Sequence, residues 1–156
     1  MTGLLNKKIE KKIIRIYRNF WIRIQMSSVF KSTFRAKLLR LAGVKIGKTH
    51  IGQGVIFDSL YPEDIEIGDK SAITFRCVII THFMVPLTDG EREYKRGKVK
   101  IGDYVFIGAH SIIAKPVSIG DYSIVAAGSV VTKDIPPCEI WGGVPARFIK
   151  KRDIIY

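Results

Sequence analysis

Cysteine is scarce in this chain of 156 residues, which contains only Cys77 and Cys138. Two cysteines cannot build the disulfide framework of a small secreted domain, and they favour a reducing compartment. Long apolar runs are also missing, because no stretch approaches the roughly 18 residues that a membrane span needs. Arg and Lys residues interrupt the first apolar segment, which argues against a secretory signal peptide. Together these absences predict a cytoplasmic protein.

Acidic residues are almost absent from the first part of the chain, although the whole chain has a formal net charge of +12. Residues 1–43 contain 11 of the 26 Lys and Arg residues but a single acid, Glu10. Residues 44–156 contain 15 basic residues against 13 acids, so this part is nearly neutral. The sequence therefore predicts two regions: a basic helical arm, residues 1–43, and a body, residues 44–156.

Residues 4–25 of the arm have the spacing of an amphipathic helix. Apolar side chains recur every three or four residues, at Leu5, Ile9, Ile13, Ile16, Phe20 and Ile24. The opposite side of this helix carries Lys7, Lys8, Lys11, Arg15 and Arg18. The apolar stripe has two possible roles. In the first it packs against protein, either as a cap on the body or against a neighbouring subunit. In the second it lies peripherally on the inner face of an anionic membrane.

A second, shorter helix is predicted between the first helix and the body. Ser32 is the expected N-cap, and the helix is expected to end at Leu41, with Gly43 as its C-terminal stop. Phe34, Leu38 and Leu41 are expected to form its buried face.

The body is dominated by a six-residue period. From Ile101 to Pro136 the chain reads IGDYVF, IGAHSI, IAKPVS, IGDYSI, VAAGSV and VTKDIP. The first place is always Ile or Val, the second is small, and the fifth is Val, Ser or Ile. Similar units begin at Ile51, Ile67 and Ile73. A repeat of this length predicts a parallel β-helix, in which the branched residue points inward and the small residue permits a tight turn.

Two segments interrupt the repeats. Residues 58–64 contain Pro62 and several acids, which predicts a bulged corner. The longer interruption, residues 83–98, lies between regular units and is therefore predicted to be an extruded loop. Loops of this length inside a compact domain are usually functional.

The last repeats continue into the sequence WGGVPAR, from Trp141 to Arg147, and this combination resembles the hexapeptide-repeat acyltransferases. The sequence is similar to the maltose and galactoside O-acetyltransferases and to the O-acetyltransferases of polysaccharide synthesis. The resemblance covers roughly residues 44–152. It implies a left-handed parallel β-helix, a homotrimer, and acetyl-coenzyme A bound as cosubstrate in a cleft between subunits, with a sugar or glycan as acceptor.

The resemblance also assigns the site. His82, which opens the extruded loop, matches the catalytic base that takes a proton from the acceptor hydroxyl. Asp58 and Glu63 are candidates to orient His82 or to bind the acceptor. The cofactor groove matches Phe106, Ala109, Ala127, Thr132 and Lys133, and the basic residues that reach the cofactor phosphates match Arg147 and Lys150.

Two positions depart from the family pattern. Relatives often have serine where Ala109 stands, so a backbone N–H has to stabilise the oxyanion here. They often have tryptophan where Phe106 stands, although an aromatic ring is retained.

Other functions remain open beside O-acetyl transfer. An N-acetyltransferase acting on an amino sugar has the same fold. A γ-class carbonic anhydrase shares the β-helix but needs three zinc-binding histidines, and His50, His82 and His110 lie 32 and 28 residues apart, so no metal is predicted. A non-catalytic module that binds nucleic acid or lipid through the arm is the third alternative. The one-sided apolar stripe fits packing or membrane contact better than base stacking, so no nucleic-acid partner is predicted.

Overall fold

Two helices precede the repeats in the computed structural model, which describes residues 2–88 and 90–153, with the side chains of residues 2–6 and 8 left out. Helix α1 spans Thr2–Gln25 and helix α2 spans Ser32–Leu41. Both helices occur where the sequence predicts them. None of the helices in the described residues is long and apolar enough to cross a bilayer.

The rest of the chain winds into a left-handed parallel β-helix with three faces, which confirms the predicted fold. Strands are numbered in chain order. Face A contains β1 (Lys45–Ile46), β4 (Ile65–Ile67), β9 (Val99–Ile101) and β12 (Ser118–Ile119). Face B contains β2 (His50–Ile51), β5 (Ala72–Ile73), β10 (Phe106–Ile107), β13 (Ile124–Val125), β15 (Glu139–Gly142) and β16 (Arg147–Lys151). Face C contains β3 (Ile56–Phe57), β6 (Val78–Ile79), β11 (Ile112–Ile113) and β14 (Val130–Val131).

First-place residues of the repeat form the core. Ile73, Ile107 and Val125 occupy matched positions of neighbouring coils on face B, and each is at most 1 % exposed. Burying such a side chain contributes roughly 1.5–3 kcal/mol. The fifth-place serines are buried as well, and their hydroxyls donate to corner carbonyls, as Ser111 does to Ala126 at 3.0 Å. The repeat therefore supplies both the apolar side chains that fill the core and the hydroxyls that hydrogen-bond to the corner carbonyls.

The small second-place residue has a different role from the predicted one. A Cβ on Gly108 would lie 2.4 Å from the backbone nitrogen of Ala127, so glycine is needed because the next coil approaches closely. The left-handed backbone that makes the corner lies at the fourth place instead, for example at His110 (φ 61°) and Gly128 (φ 70°). The predicted reason for the small residue, a tight turn at that position, is therefore wrong.

Helix α2 covers the first coil, but its buried face matches the predicted one only at Leu38. Arg35, Ala36, Leu38 and Leu39 are buried, whereas Phe34 and Leu41 are nearly half exposed. Ser32 is the first helical residue rather than the N-cap, which is Lys31. The Ser32 hydroxyl instead accepts a hydrogen bond from the N–H of Ile51 at 2.9 Å.

This contact belongs to a polar cap over the first coil, whose strand edges have no further coil to pair with. Gln25 donates to the carbonyl of Val55 at 2.9 Å, and Arg35 donates to that of Ile51 at 3.2 Å. Arg40 donates to the carbonyls of Ile46 and Gly47 at 2.8 and 2.6 Å. Side chains of both helices therefore replace the missing coil, since unpaired buried backbone groups would be costly.

The predicted apolar stripe of α1 does not cap the body. Ile9, Ile13, Ile16 and Phe20 are each about half exposed, while Leu5 lies outside the described side chains. Among the described side chains of α1, Ile22 is the buried apolar residue, at 4 % exposed. Helix α1 therefore packs through its last turns and leaves most of its stripe uncovered within one chain.

The two interruptions of the repeat leave the same corner of the β-helix, between faces C and A. Residues 58–64 include a 3₁₀ helix, Pro62–Asp64. The longer interruption forms an antiparallel hairpin of β7 (His82–Pro86) and β8 (Arg92–Arg96) rather than an irregular loop. Asp89 lies outside the described residues. The hairpin stands directly above the 58–64 corner because it starts from the next coil.

Candidate active site

A groove of about 540 Å³ runs along face C at the base of the hairpin. We call it the His82 groove. It is lined by Ile56, Phe57, Asp58, Ser59, Val78, Ile79, Ile80, His82, Phe83, Met84, Tyr94 and Ala114. Its floor is formed by β3 and β6 together with Ala114, which follows β11, and its wall is the hairpin. A largely apolar groove with a few polar side chains is the usual form of a small-molecule site.

Asp58 is the most strongly held polar side chain of this groove. Its side chain is 2 % exposed, and its Oδ2 atom lies 2.6 Å from Nδ1 of His82. The same oxygen accepts hydrogen bonds from the hydroxyl and the N–H of Thr81, at 2.6 and 3.0 Å. Oδ1 accepts from the N–H of Leu60 at 2.9 Å. A longer hydrogen bond from the N–H of Tyr61 to Oδ1, at 3.4 Å, is the fifth contact that fixes the carboxylate in position.

These contacts keep Asp58 ionised. Burial alone would raise the pKa of its carboxyl, but the hydrogen bonds from Thr81, Leu60 and His82 favour the charged form and lower the pKa below its ordinary value of 3.8. An ionised carboxylate only accepts hydrogen bonds, so Nδ1 of His82 carries a proton. The neutral imidazole then has its lone pair on Nε2, which is the arrangement of an oriented general base.

Two aromatic rings and one arginine surround His82. The ring of Tyr94 stacks on the imidazole with centroids 6.3 Å apart, and Tyr61 meets it edge-on at 5.5 Å. The guanidinium of Arg96 lies 3.8 Å above the ring of Tyr61 and also binds Asp64 at 2.5 Å. Arg96 thus connects the hairpin to the 58–64 corner and holds the ring of Tyr61 beside His82.

Glu63 does not contact His82, although the sequence made it a candidate to orient that residue. Its carboxylate pairs with Arg18 of α1 at 2.9 Å and with Arg96 of the hairpin at 3.2 Å. It is therefore part of the scaffold between helix, corner and hairpin. Asp58 alone takes the orienting position.

The predicted cofactor residues fall into three places on the chain. Phe106, Ala109 and Ala127 lie on face B and at the corner between faces B and C. Thr132 and Lys133 follow β14, on the same corner as His82 but two coils farther on, roughly 10 Å away along the axis. The strands of face C separate these two corners, so a single chain does not bring all of these residues to one point.

Arg147 and Lys150 lie on β16, the antiparallel strand that closes face B. Both side chains are exposed, as is Lys133, and none of the three forms a salt bridge within the described part of the chain. Unpaired cations at this end are suited to the phosphates of a nucleotide.

Tyr94, Tyr61 and Arg96 were not predicted from the sequence. The available signal was the alternation of the hairpin strands, because His82 pairs with Arg96 and Met84 with Tyr94, which puts these residues on one side of the ribbon. An Asp-Gly pair between two short segments is a common hairpin signal. Among residues 2–88 and 90–153, no three His, Cys, Asp or Glu side chains are grouped so that they could hold a metal ion.

Comparison with known proteins identifies related sequences. Residues 98–133 match the family model described as bacterial transferase hexapeptide, six repeats. The acetyltransferase candidate YvoF of Bacillus subtilis is 38 % identical over 112 residues, which are 70 % of this chain and 62 % of that protein.

Solved acyltransferase structures resemble this fold. A single-residue mutant of the N-acyltransferase AntD of Bacillus cereus, solved with dTDP-4-amino-4,6-dideoxyglucose and coenzyme A, is 31 % identical with a TM-score of 0.63. The match covers 71 % of this chain and 64 % of AntD. A maltose O-acetyltransferase of Clostridium difficile is 27 % identical with a TM-score of 0.70, over 92 % of this chain and 89 % of that protein.

This chain spans less than two thirds of the lengths of YvoF and AntD. Its six-residue period, three-faced coil and matched repeats are nevertheless those of one family. The chain therefore belongs to the bacterial hexapeptide-repeat transferases.

Proposed function

We propose that this protein is an O-acetyltransferase that moves the acetyl group of acetyl-coenzyme A to a hydroxyl of a sugar or glycan precursor. The observation that carries the proposal is the Asp58–His82 pair, in which a buried carboxylate lies 2.6 Å from Nδ1 of a histidine in an open groove. A hydroxyl needs such a base at neutral pH because its own proton is held tightly.

The transfer proceeds in two steps. The acceptor oxygen attacks the thioester carbonyl carbon while Nε2 of His82 takes the hydroxyl proton. The tetrahedral intermediate then collapses, the C–S bond breaks, and the proton passes from His82 to the leaving sulfur. The products are the acetyl ester and free coenzyme A. Because residue 109 is alanine, a backbone N–H is proposed to stabilise the oxyanion.

Cofactor binding is assigned to the three groups of residues described above. Phe106, Ala109 and Ala127 would contact the pantetheine arm, Thr132 and Lys133 would line the groove, and Arg147 and Lys150 would reach the phosphates. Since the strands of face C separate these groups in one chain, we propose that corners of two subunits form the cleft within a homotrimer. The bound coenzyme A of AntD supports the choice of cosubstrate.

N-acetyl transfer to an amino sugar is the second candidate. The AntD structure favours it, because that N-acyltransferase was solved with an amino sugar nucleotide. The maltose O-acetyltransferase, which covers more of this chain, favours a hydroxyl. The Asp58–His82 pair also favours a hydroxyl, for the reason given above.

A matched acceptor screen separates the two. Pairs such as glucose and glucosamine, free and as nucleotide sugars, are incubated with acetyl-coenzyme A while thiol release is followed. The products are then treated with mild alkali, which cleaves esters and leaves amides intact. We expect transfer to hydroxyls and alkali-labile products. Alkali-stable products formed only from amino sugars would favour N-transfer, and no thiol release with any sugar would contradict both.

A further inference from the structure

A second groove lies between α1 and the 58–64 corner, on the outer side of the site. We call it the basic groove. Its volume is about 570 Å³, and it is lined by Lys11, Lys12, Ile14, Arg15, Arg18, Ser59, Leu60, Tyr61 and Glu63. Four of these nine residues are cationic and one is acidic. The side of α1 opposite the apolar stripe therefore faces a cavity of the protein rather than only solvent.

The positive charge of this groove is not neutralised. Glu63 is already paired with Arg18 and with Arg96 of the hairpin. Lys11, Lys12 and Arg15 form no salt bridge or side-chain hydrogen bond within the described residues, 2–88 and 90–153. Lys11 and Arg15 are also four residues apart on one helix, a spacing at which like charges repel. Three unpaired cations in one cavity favour the binding of an anion.

The basic groove adjoins the His82 groove. Ser59 lines both of them. Tyr61 lines the basic groove, and the same ring meets the imidazole of His82 with centroids 5.5 Å apart. A ligand of a few sugar-sized units can therefore occupy both grooves at once, with one end beside the proposed base.

We propose that the basic groove binds the phosphate or diphosphate group of the acceptor, so that the acceptor is a glycosyl phosphate whose sugar hydroxyl lies at His82. This inference rests on the proposed acetyl transfer and specifies its acceptor. Arg and Lys are the side chains that bind phosphate oxygens through charge-assisted hydrogen bonds. Lys11, Lys12 and Arg15 bind the anion, and Tyr61 separates it from the reacting hydroxyl.

The same chemistry occurs in a sugar nucleotide and in a lipid-linked sugar diphosphate. Both carry a phosphate on the anomeric carbon, and both leave the sugar hydroxyls free for acetylation. The exposed stripe of Ile13, Ile16 and Phe20 on the same helix is available for a lipid, whereas a nucleotide needs only the groove. The kinetic test therefore uses both kinds of acceptor.

The kinetic test compares phosphorylated and neutral forms of one sugar. For the sugar that the acceptor screen identifies, kcat/KM is measured with its methyl glycoside, its 1-phosphate, its nucleoside diphosphate derivative and its lipid diphosphate in micelles. The full-length protein is compared with K11Q/K12Q/R15Q and with a control, R23Q/K31Q/K37Q, which removes three exposed cations of the arm that line neither groove. Circular dichroism verifies that both variants are folded.

We expect the wild-type protein to prefer a phosphorylated form over the methyl glycoside by roughly tenfold or more, as charge-assisted hydrogen bonds allow. The preference should disappear in K11Q/K12Q/R15Q and persist in R23Q/K31Q/K37Q. Preference for the nucleotide or for the lipid form identifies the source. Equal use of the neutral and phosphorylated forms would overturn the inference and leave the proposed transfer intact.

A binding measurement decides the matter independently of turnover. Calorimetry with inorganic pyrophosphate is performed at fixed ionic strength and in saturating desulfo-coenzyme A, which occupies the cofactor phosphate site. We expect binding to the wild-type protein and to the control variant, and at least roughly tenfold weaker binding to K11Q/K12Q/R15Q. Absence of binding, or equal binding to all three proteins, would overturn the inference. Variant-sensitive binding without acetylation of any sugar would contradict the proposed function and the acceptor assignment together.

Discussion

Oδ2 of Asp58 lies 2.6 Å from Nδ1 of His82, and neighbouring coils of the β-helix supply the two residues. The register of β3 and β6, in which Phe57 pairs with Ile79, sets this distance. Asp58 lies just after β3 and His82 lies shortly after β6, so the stacking of the coils brings the carboxylate and the imidazole together. The orientation of the proposed base is therefore a property of the fold rather than of a mobile loop.

Asp58→Asn is expected to lower kcat for acetyl transfer by roughly 10²–10⁴-fold, the contribution typical of a general base. The amide has the same shape but no negative charge, so Nδ1 is no longer fixed as the protonated nitrogen. Steady-state kinetics should show an unchanged KM for acetyl-coenzyme A, because Asp58 is not among the residues proposed to bind the cofactor. A wild-type kcat for this variant would show that Asp58 has no role in the proposed active site.

The stability of the protein should fall on acidification through the same residue. The pKa of Asp58 is lowered in the folded protein, so its contribution is fully present above the ordinary value of 3.8 and is lost as the pH falls below it. Urea unfolding of wild type and Asp58→Asn between pH 6 and pH 3 measures this contribution as a difference. We expect the wild type to be more stable at pH 6 and the gap to narrow towards pH 3. A gap independent of pH would contradict the ionised carboxylate.

Arg96→Ala is expected to reduce kcat/KM for the acceptor, by up to about 10²-fold, while changing the free energy of unfolding by less than about 1 kcal/mol. Arg96 is about half exposed, so its ion pairs with Glu63 and Asp64 add little stability, but they hold Tyr61 and the hairpin beside His82. Arg92→Ala on the same strand is the matched control. Equal effects of the two substitutions would show that the contacts of Arg96 with the 58–64 corner are not needed to position the hairpin.

The apolar stripe of α1 is proposed to meet either a subunit of the homotrimer or an anionic membrane surface. Burial in the trimer predicts that Ile13→Ser or Phe20→Ser lowers the melting temperature and produces smaller species in sedimentation velocity experiments. Ile149→Ser, at an exposed apolar residue on β16, is the control for lost surface hydrophobicity. A monomeric wild-type protein at micromolar concentration would contradict the trimer and the cleft between subunits.

Membrane attachment predicts a different result for the same helix. The protein should sediment with anionic vesicles at low salt and be released as salt is raised, since each basic residue near the surface contributes roughly 1 kcal/mol. Replacement of Lys7, Lys8, Lys11 and Arg15 by Gln should weaken this binding. If anionic vesicles at low salt bind nothing, the peripheral membrane proposal is wrong and a water-soluble acceptor is favoured.

The β-helix was predictable because one six-residue sequence pattern is local and recurs along the body. First-place side chains point inward, so counting in sixes from Ile51 and again from Ile67 gives Phe57 and Ile79 the same place in their coils and puts Asp58 and His82 at the same corner. The polar cap was not predictable, because the contacts of Gln25 and Arg35 with strand carbonyls depend on how the helices cross the first coil. The spacing of the α1 stripe correctly indicated a helix but carried no information on which side faces the body.

The central claim is that His82 is the general base for acetyl transfer to a sugar hydroxyl, and acetyl transfer by wild type and His82→Ala tests it most directly. Radiolabelled acetyl-coenzyme A is incubated with the acceptor, and alkali-labile label in the sugar is counted for each protein. We expect steady incorporation by the wild type and a loss of about 10²–10⁴-fold in His82→Ala, with coenzyme A binding and melting temperature nearly unchanged. Normal incorporation by His82→Ala, or none by the wild type with any sugar, would contradict the account.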